Sequence, residues 1–171
     1  MRKVFTLCFV ALIATTVSAR SYKIAVGLAT GLEYGPTLKV NFTEHLTLLN
    51  DLVWFLNPGT VGSGNGTGTM QFGYMGLQDN VNLAFEQKLT SGRGLDLSFY
   101  GGGGMSLGYA DLGGNPAGKF GINGIAGLEM TANIPIAVTF DFRPGYALLF
   151  ADGGQMHALD WSLVLAVRYA F

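Results

Sequence analysis

From Leu159 to Phe171 the chain alternates without a break. Leu159, Trp161, Leu163, Leu165, Val167, Tyr169 and Phe171 occupy one parity, and Asp160, Ser162, Val164, Ala166, Arg168 and Ala170 the other. Side chains of an extended backbone change faces at every residue, so this segment predicts a strand with one wholly apolar face. The same two-residue period recurs upstream. With clusters of Gly, Pro and Asn as breaks, it predicts strands over 22–32, 36–42, 46–56, 77–89, 95–109, 119–130, 134–149 and 158–171. Residues 70–76 fall out of phase with Leu77 onward and predict an extension or a bulge. Asn50 and Pro144 sit badly on the apolar parity.

The connections between these segments differ in kind. Those at 43–45, 90–94 and 131–133 are tight, whereas 57–69, 110–118 and 150–157 are looser and rich in glycine. Short turns at one rim and longer loops at the other predict an all-β fold, an eight-stranded antiparallel up-and-down barrel. The run Gly101–Gly104 predicts a sharply bent strand rather than a binding loop. GSGNGTG at 62–68 lacks the strand-to-helix setting of a phosphate cradle.

The amino terminus adds a second element. Arg2 and Lys3 precede an apolar stretch at 4–14, and Val17, Ser18 and Ala19 are small enough for signal-peptidase cleavage. Residues 1–19 therefore read as a secretory signal peptide, too short to span a bilayer as a helix. Residues 20–171 read as a single barrel domain. Cys8, the only cysteine, lies within the apolar stretch, so the barrel holds no thiol, disulfide or Cys-based metal site.

Charge decides which face is which. Only 12% of residues are charged, about half the roughly 25% usual in soluble domains. The polar parity carries Lys23, Glu33, Lys39, Asp51, Glu86, Lys88, Asp96, Glu129, Asp141, Arg143, Asp160 and Arg168, otherwise mainly glycine, alanine and serine. Arg20, Glu44, Asp79, Arg93, Asp111, Lys119 and Asp152 are expected at ends, turns, loops or strand rims. The apolar parity carries Trp54, Phe99, Phe140, Phe142 and Trp161, too bulky together for the inside of a small barrel. The apolar face therefore points outward, into lipid, and the ionised groups point inward. A Lys or Arg facing lipid near midplane costs about 2–4 kcal/mol, which this arrangement avoids. Trp54, Tyr109, Tyr146, Phe150 and Trp161 are placed for interfacial aromatic belts. A soluble carrier barrel with the opposite sidedness is the competing architecture. The near balance of charge, −1 over the whole chain, offers no basic footprint for nucleic acid.

At this point the residues resemble a family. The leader, FYGGGGMSLGY at 99–109, GINGIAGLEM at 121–130, IPIAVTFDFRPGYALLF at 134–150 and the ending LVLAVRYAF at 163–171 are similar to the small eight-stranded outer-membrane β-barrel proteins of Gram-negative bacteria. The resemblance implies integral insertion in the outer membrane, with loops extracellular and both termini periplasmic. Tyr169 and Phe171 match the carboxy-terminal signal read by the outer-membrane assembly machinery, an implied partner beside outer-membrane lipid. The family is porin-like in architecture and includes adhesins, anchors and lipid-modifying enzymes, so it fixes no activity and no extracellular partner.

The candidate chemistry is sparse. An eight-stranded barrel is only wide enough for its side chains to fill, and buried charges persist when paired. The inward acids and bases predict a salt-bridged, mostly closed lumen with Arg143 and Arg168 as hubs, since one guanidinium serves two carboxylates. A narrow ion or small-solute path is the alternative use of the same residues. Of the two histidines, His45 lies in a tight turn, while His157 lies at the loop rim near Asp160 and Ser162. Those three are the candidates for a lipid-modifying site at the outer rim. No cofactor is expected, and the principal reading is a non-enzymatic barrel contributing to envelope structure or surface interaction.

Overall fold

The computed structural model describes residues 22–63, 71–92, 94–151 and 154–171. The expected leader at 1–19, Arg20, Arg93, Asp152 and most of the glycine-rich stretch 62–68 lie outside the described residues. Eight strands follow one another in chain order: β1 (Ile24–Gly31), β2 (Glu33–Asn41), β3 (Leu46–Ser63), β4 (Gln71–Gly92), β5 (Leu95–Asp111), β6 (Pro116–Ala132), β7 (Ile136–Ala151) and β8 (Gly154–Ala170). Each pairs antiparallel with its chain neighbour, and β8 returns to β1, closing the barrel. The architecture is the all-β up-and-down barrel that the alternation predicts.

Strand lengths depart from that expectation at one end. β1 and β2 have 8 and 9 residues, against 18 and 22 for β3 and β4. Beyond the tip of the short hairpin, β3 and β8 pair directly, from Thr60↔Leu159 to Ser63↔Met156. The barrel thus has eight strands at the tight-turn end and six at the loop end. The hairpin tip is fastened into the fork: Leu32 N–H donates to Leu163 O at 3.1 Å, and Leu32 O accepts from Leu56 N–H at 2.8 Å. Gly31 adopts φ +123°, and a Cβ there would stand 2.5 Å from Leu163 O, so the tip needs glycine.

Residues expected to form a loop from 57 are therefore strand as far as Ser63, paired with β4 up to Val61 and with β8 from Thr60 to Ser63. A register shift between Asn57 and Thr60 accommodates Pro58, and the Asn57 side chain accepts the Gly59 N–H at 2.7 Å. The extra residue lies on β3; opposite it, β4 alternates regularly from Tyr74, with Tyr74, Gly76, Gln78 and Asn80 inward and Met75 and Asp79 outward, so the phase slip expected at 70–76 is absent from Tyr74 onward. At Pro144 the β6–β7 ladder has no paired residues between Asn123↔Gly145 and Ala126↔Phe142, as a residue without an N–H requires.

Sidedness is sharp. Every strand presents exposed large hydrophobic side chains outward, among them Leu28, Tyr34, Trp54, Leu83, Met105, Ile122, Phe140 and Leu165. Exposed apolar surface on this scale is foreign to a soluble monomer. Inside, the buried set mixes small apolar residues with Glu33, Lys39, Asp51, Glu86, Lys119, Glu129, Asp141, Arg143 and Arg168.

Candidate functional site

The interior is filled in layers. Nearest the tight turns, Lys39 Nζ bridges Glu86 at 2.7 Å and Glu129 at 2.5 Å. Tyr22 O–H donates to the other Glu129 oxygen at 2.7 Å. The Tyr22 and Tyr100 rings lie 5.6 and 5.3 Å from the same ammonium, within cation–π range.

The middle layer is built on Arg143. Its guanidinium reaches Glu33 at 2.9 Å, Asp51 at 2.8 Å and Asp141 at 2.8 Å. Arg168 stands 3.8 Å from Asp51 and donates to Thr37 and Thr139, each at 3.0 Å. Tyr100 O–H donates to Asp141. Glu33, the first residue of β2, is a third hub. Beyond Arg143 it accepts from Ser162 at 2.8 Å, Asn80 at 3.1 Å and Gln78 at 3.3 Å. A carboxylate taken from water needs such a full set of donors. Beside it lies a cavity of about 30 Å³ whose mixed lining includes Asn80, Ser106, Asn123 and Ser162 as well as Phe55 and Ile122, room for about one water.

Above this layer Lys119 pairs with Asp160 at 2.6 Å, and its ammonium stands 4.0 Å from the centre of the Phe55 ring. Asp160 also accepts from Tyr74 O–H. The six-stranded end then closes over an apolar cluster that includes Phe55, Val61, Leu112, Leu149 and Ala158. The contents of the barrel therefore run from ion pairs at the turn end to hydrocarbon at the loop end.

Three sequence-based placements need correction. Lys23 is exposed and precedes β1, so it is absent from the interior; Tyr22 takes the inward place and meets Glu129 instead. Lys119, expected at a rim, is buried, because β6 begins at Pro116 and carries it inward. Asp79, expected at a strand rim, lies within β4 on the outer face, where it accepts from Asn50 Nδ2 at 2.7 Å. Asn50 and Asp79 are thus polar residues on the apolar face that answer one another. Lys88 and Asp96 pair at 2.6 Å near the turn end, partly exposed and apart from the deeper layers.

The rim candidates do not converge. Ser162 and Asp160 point inward, Ser162 toward Glu33 and Asp160 toward Lys119. His157 lies on the opposite parity and bonds through Nδ1 to the Tyr146 hydroxyl on the outer side. The barrel wall separates base from nucleophile, whereas a catalytic pair needs hydrogen-bond reach. His45 packs against Phe85 and contacts Glu86 O at 3.1 Å. Among the described residues no group of three or more His, Cys, Asp or Glu is placed to hold a metal ion. Tyr169 and Phe171, the terminal-signal pair, are exposed and pack edge to face with centroids 4.9 Å apart.

No protein-family model matches the chain, and no curated protein matches it in sequence. Among solved structures, the crystal structure of Neisserial surface protein A (NspA) is similar at a TM-score of 0.45 and 11% identity, covering 86% of this chain and 93% of that one. At that distance the barrel assignment rests on this chain's own strand pairing, and what stands established is a closed eight-stranded antiparallel barrel, apolar outside and ion-paired within.

Proposed function

We propose that the chain is an integral bacterial outer-membrane barrel, non-enzymatic and closed to solutes, that contributes to envelope structure or displays its glycine-rich loops to an extracellular partner. The sidedness supports this reading above all. Large hydrophobic side chains face out from every strand, and most of the ionised groups are buried inside, where each of Lys39 and Arg143 holds more than one carboxylate. Inserted, the barrel places its tight turns and both termini on the periplasmic side and its loops outside, the habit of such barrels. Residues 1–19 serve export, and Tyr169 and Phe171 present the ending that the assembly machinery reads.

A narrow channel would need a water path past the Arg143 layer and then through the apolar cluster around Leu149. A rim enzyme would need His157 on the same side of the wall as Ser162. Both features favour the closed, non-enzymatic reading. The test uses the purified protein without its leader. It is expected to require detergent or lipid, to show Trp54 and Trp161 emission quenched by brominated acyl chains, and to give no reproducible conductance steps in planar bilayers. Dispersion in plain buffer with unquenched tryptophans would refute membrane insertion. Reproducible steps would replace the closed barrel with a narrow channel.

A further inference from the structure

Apart from the Thr30 hydroxyl and Gln87, which shares the outer face with Phe99 toward the turn end, the outward positions away from strand ends are apolar, aromatic or glycine, with one locus excepted among the described residues. That locus is Asn50 on β3 and Asp79 on β4. They are diagonal neighbours, since Asn50 stands opposite Val81 and Leu52 opposite Asp79. Leu38, Leu52, Val81 and Leu107 surround them. The row that holds Trp54, Leu77 and Tyr109 lies one outward position beyond Asp79 and two beyond Asn50 toward the loop end, so the pair lies just inside the aromatic belt.

The hydrogen bonds of this pair are half used. Asn50 Nδ2 donates one hydrogen to Asp79 Oδ1 at 2.7 Å, and its next acceptor, Asn80 O, lies at 3.5 Å, beyond an effective bond. Asp79 Oδ2 accepts from no described residue. One spare donor and one spare acceptor thus stand side by side on a surface that hydrocarbon would cover. Two apolar surfaces gain no hydrophobic energy by meeting in lipid, so association there depends on packing and on polar matches.

We infer that the β3–β4 face docks a second copy of this chain, an inference that rests on the membrane placement proposed above. Copies inserted in one orientation are related by an axis parallel to the barrel axis, which brings the same pair to the same depth. Each Asn50 amide then donates to Asp79 Oδ2 of its neighbour, and the contact is self-complementary. Such a contact closes at two copies and builds no chain. No described Lys or Arg faces outward at this level, so the copies meet through amide–carboxyl hydrogen bonds and not through an ion pair.

The only cysteine is Cys8, so single cysteines placed in residues 20–171 report contacts cleanly once the leader is gone. Leu52→Cys, beside the pair, is expected to give an oxidative dimer in membranes. Leu165→Cys, on β8 across the barrel, is expected to give none. Adding Asp79→Leu or Asn50→Leu to Leu52→Cys lowers the dimer yield about tenfold, while Asp79→Asn, which keeps an acceptor, retains it. Absence of the Leu52→Cys dimer, equal yields from the two sites, or indifference to Asp79→Leu and Asn50→Leu would overturn the inference, a lipid or another protein then covering the face. Heat-dependent gel mobility and membrane fractionation of Leu52→Cys are read in parallel. Failure to recover folded barrel in membranes would strike the membrane placement itself, a result separable from loss of the dimer.

Discussion

Replacing Arg143 by methionine tests the interior most directly. The guanidinium contacts Glu33, Asp51 and Asp141 from 2.8–2.9 Å, and its loss is felt unequally. Glu33 keeps Ser162, Asn80 and Gln78, and Asp141 keeps Tyr100. Asp51 keeps only Arg168, at 3.8 Å. Breaking a buried pair by removing one partner costs about 3–5 kcal/mol, a large part of a typical stability of about 5–15 kcal/mol. Because the cost falls mainly on Asp51, adding Asp51→Asn to Arg143→Met is expected to recover about 1–3 kcal/mol, the usual size of coupling between contacting residues. Urea unfolding in phospholipid vesicles, followed by Trp54 and Trp161 emission, measures both changes. A single variant within about 1 kcal/mol of the parent, or a double variant weaker still by the full cost of Asp51→Asn alone, would refute the reasoning.

Two other substitutions probe the wall. Gly127→Ala puts a methyl 2.5 Å from both Asp141 Oδ1 and Tyr100 Cζ; it is expected to drive the phenol off the carboxylate and cost about 1–3 kcal/mol, read from the same unfolding curves. Leu165→Arg places a cation on the outer face of β8. In vesicles it is expected to cost about 2–4 kcal/mol, and a cost near zero would mean that this face does not meet hydrocarbon.

The architecture was legible because alternation is a local signal. Each strand announces itself through its own residues, and a filled interior follows from closing a sheet so small. What escaped the sequence depends on register. Asn50 and Asp79 look like unrelated misfits until the β3–β4 offset sets them diagonally together. Glu33 was legible as an inward charge but not as a hub: its meeting with Arg143, Ser162, Asn80 and Gln78 depends on the offsets of β4, β7 and β8. Lys119 was misplaced because glycine and asparagine before it read as loop, yet pairing with β5 and β7 holds the segment extended. Tyr22 and Lys23 exchange places at a bend just ahead of β1, where Lys23 still donates to Phe171 O and accepts from Asn41 N–H, and such a local break in alternation leaves no mark in the sequence. The His157–Ser162 separation was open to inspection: their odd spacing puts them on opposite faces of any strand that contains both.

The last strand is engaged on one flank by two partners in succession, β1 from Ala170 to Val164 and β3 from Leu159 to Met156. To slide by a residue pair along either, β8 would have to let go of both, with Leu32 wedged where the two seams meet. Closure is thereby keyed like a lock with two wards: the stagger of the finished cylinder is set twice, and an error tolerated at one seam is rejected at the other.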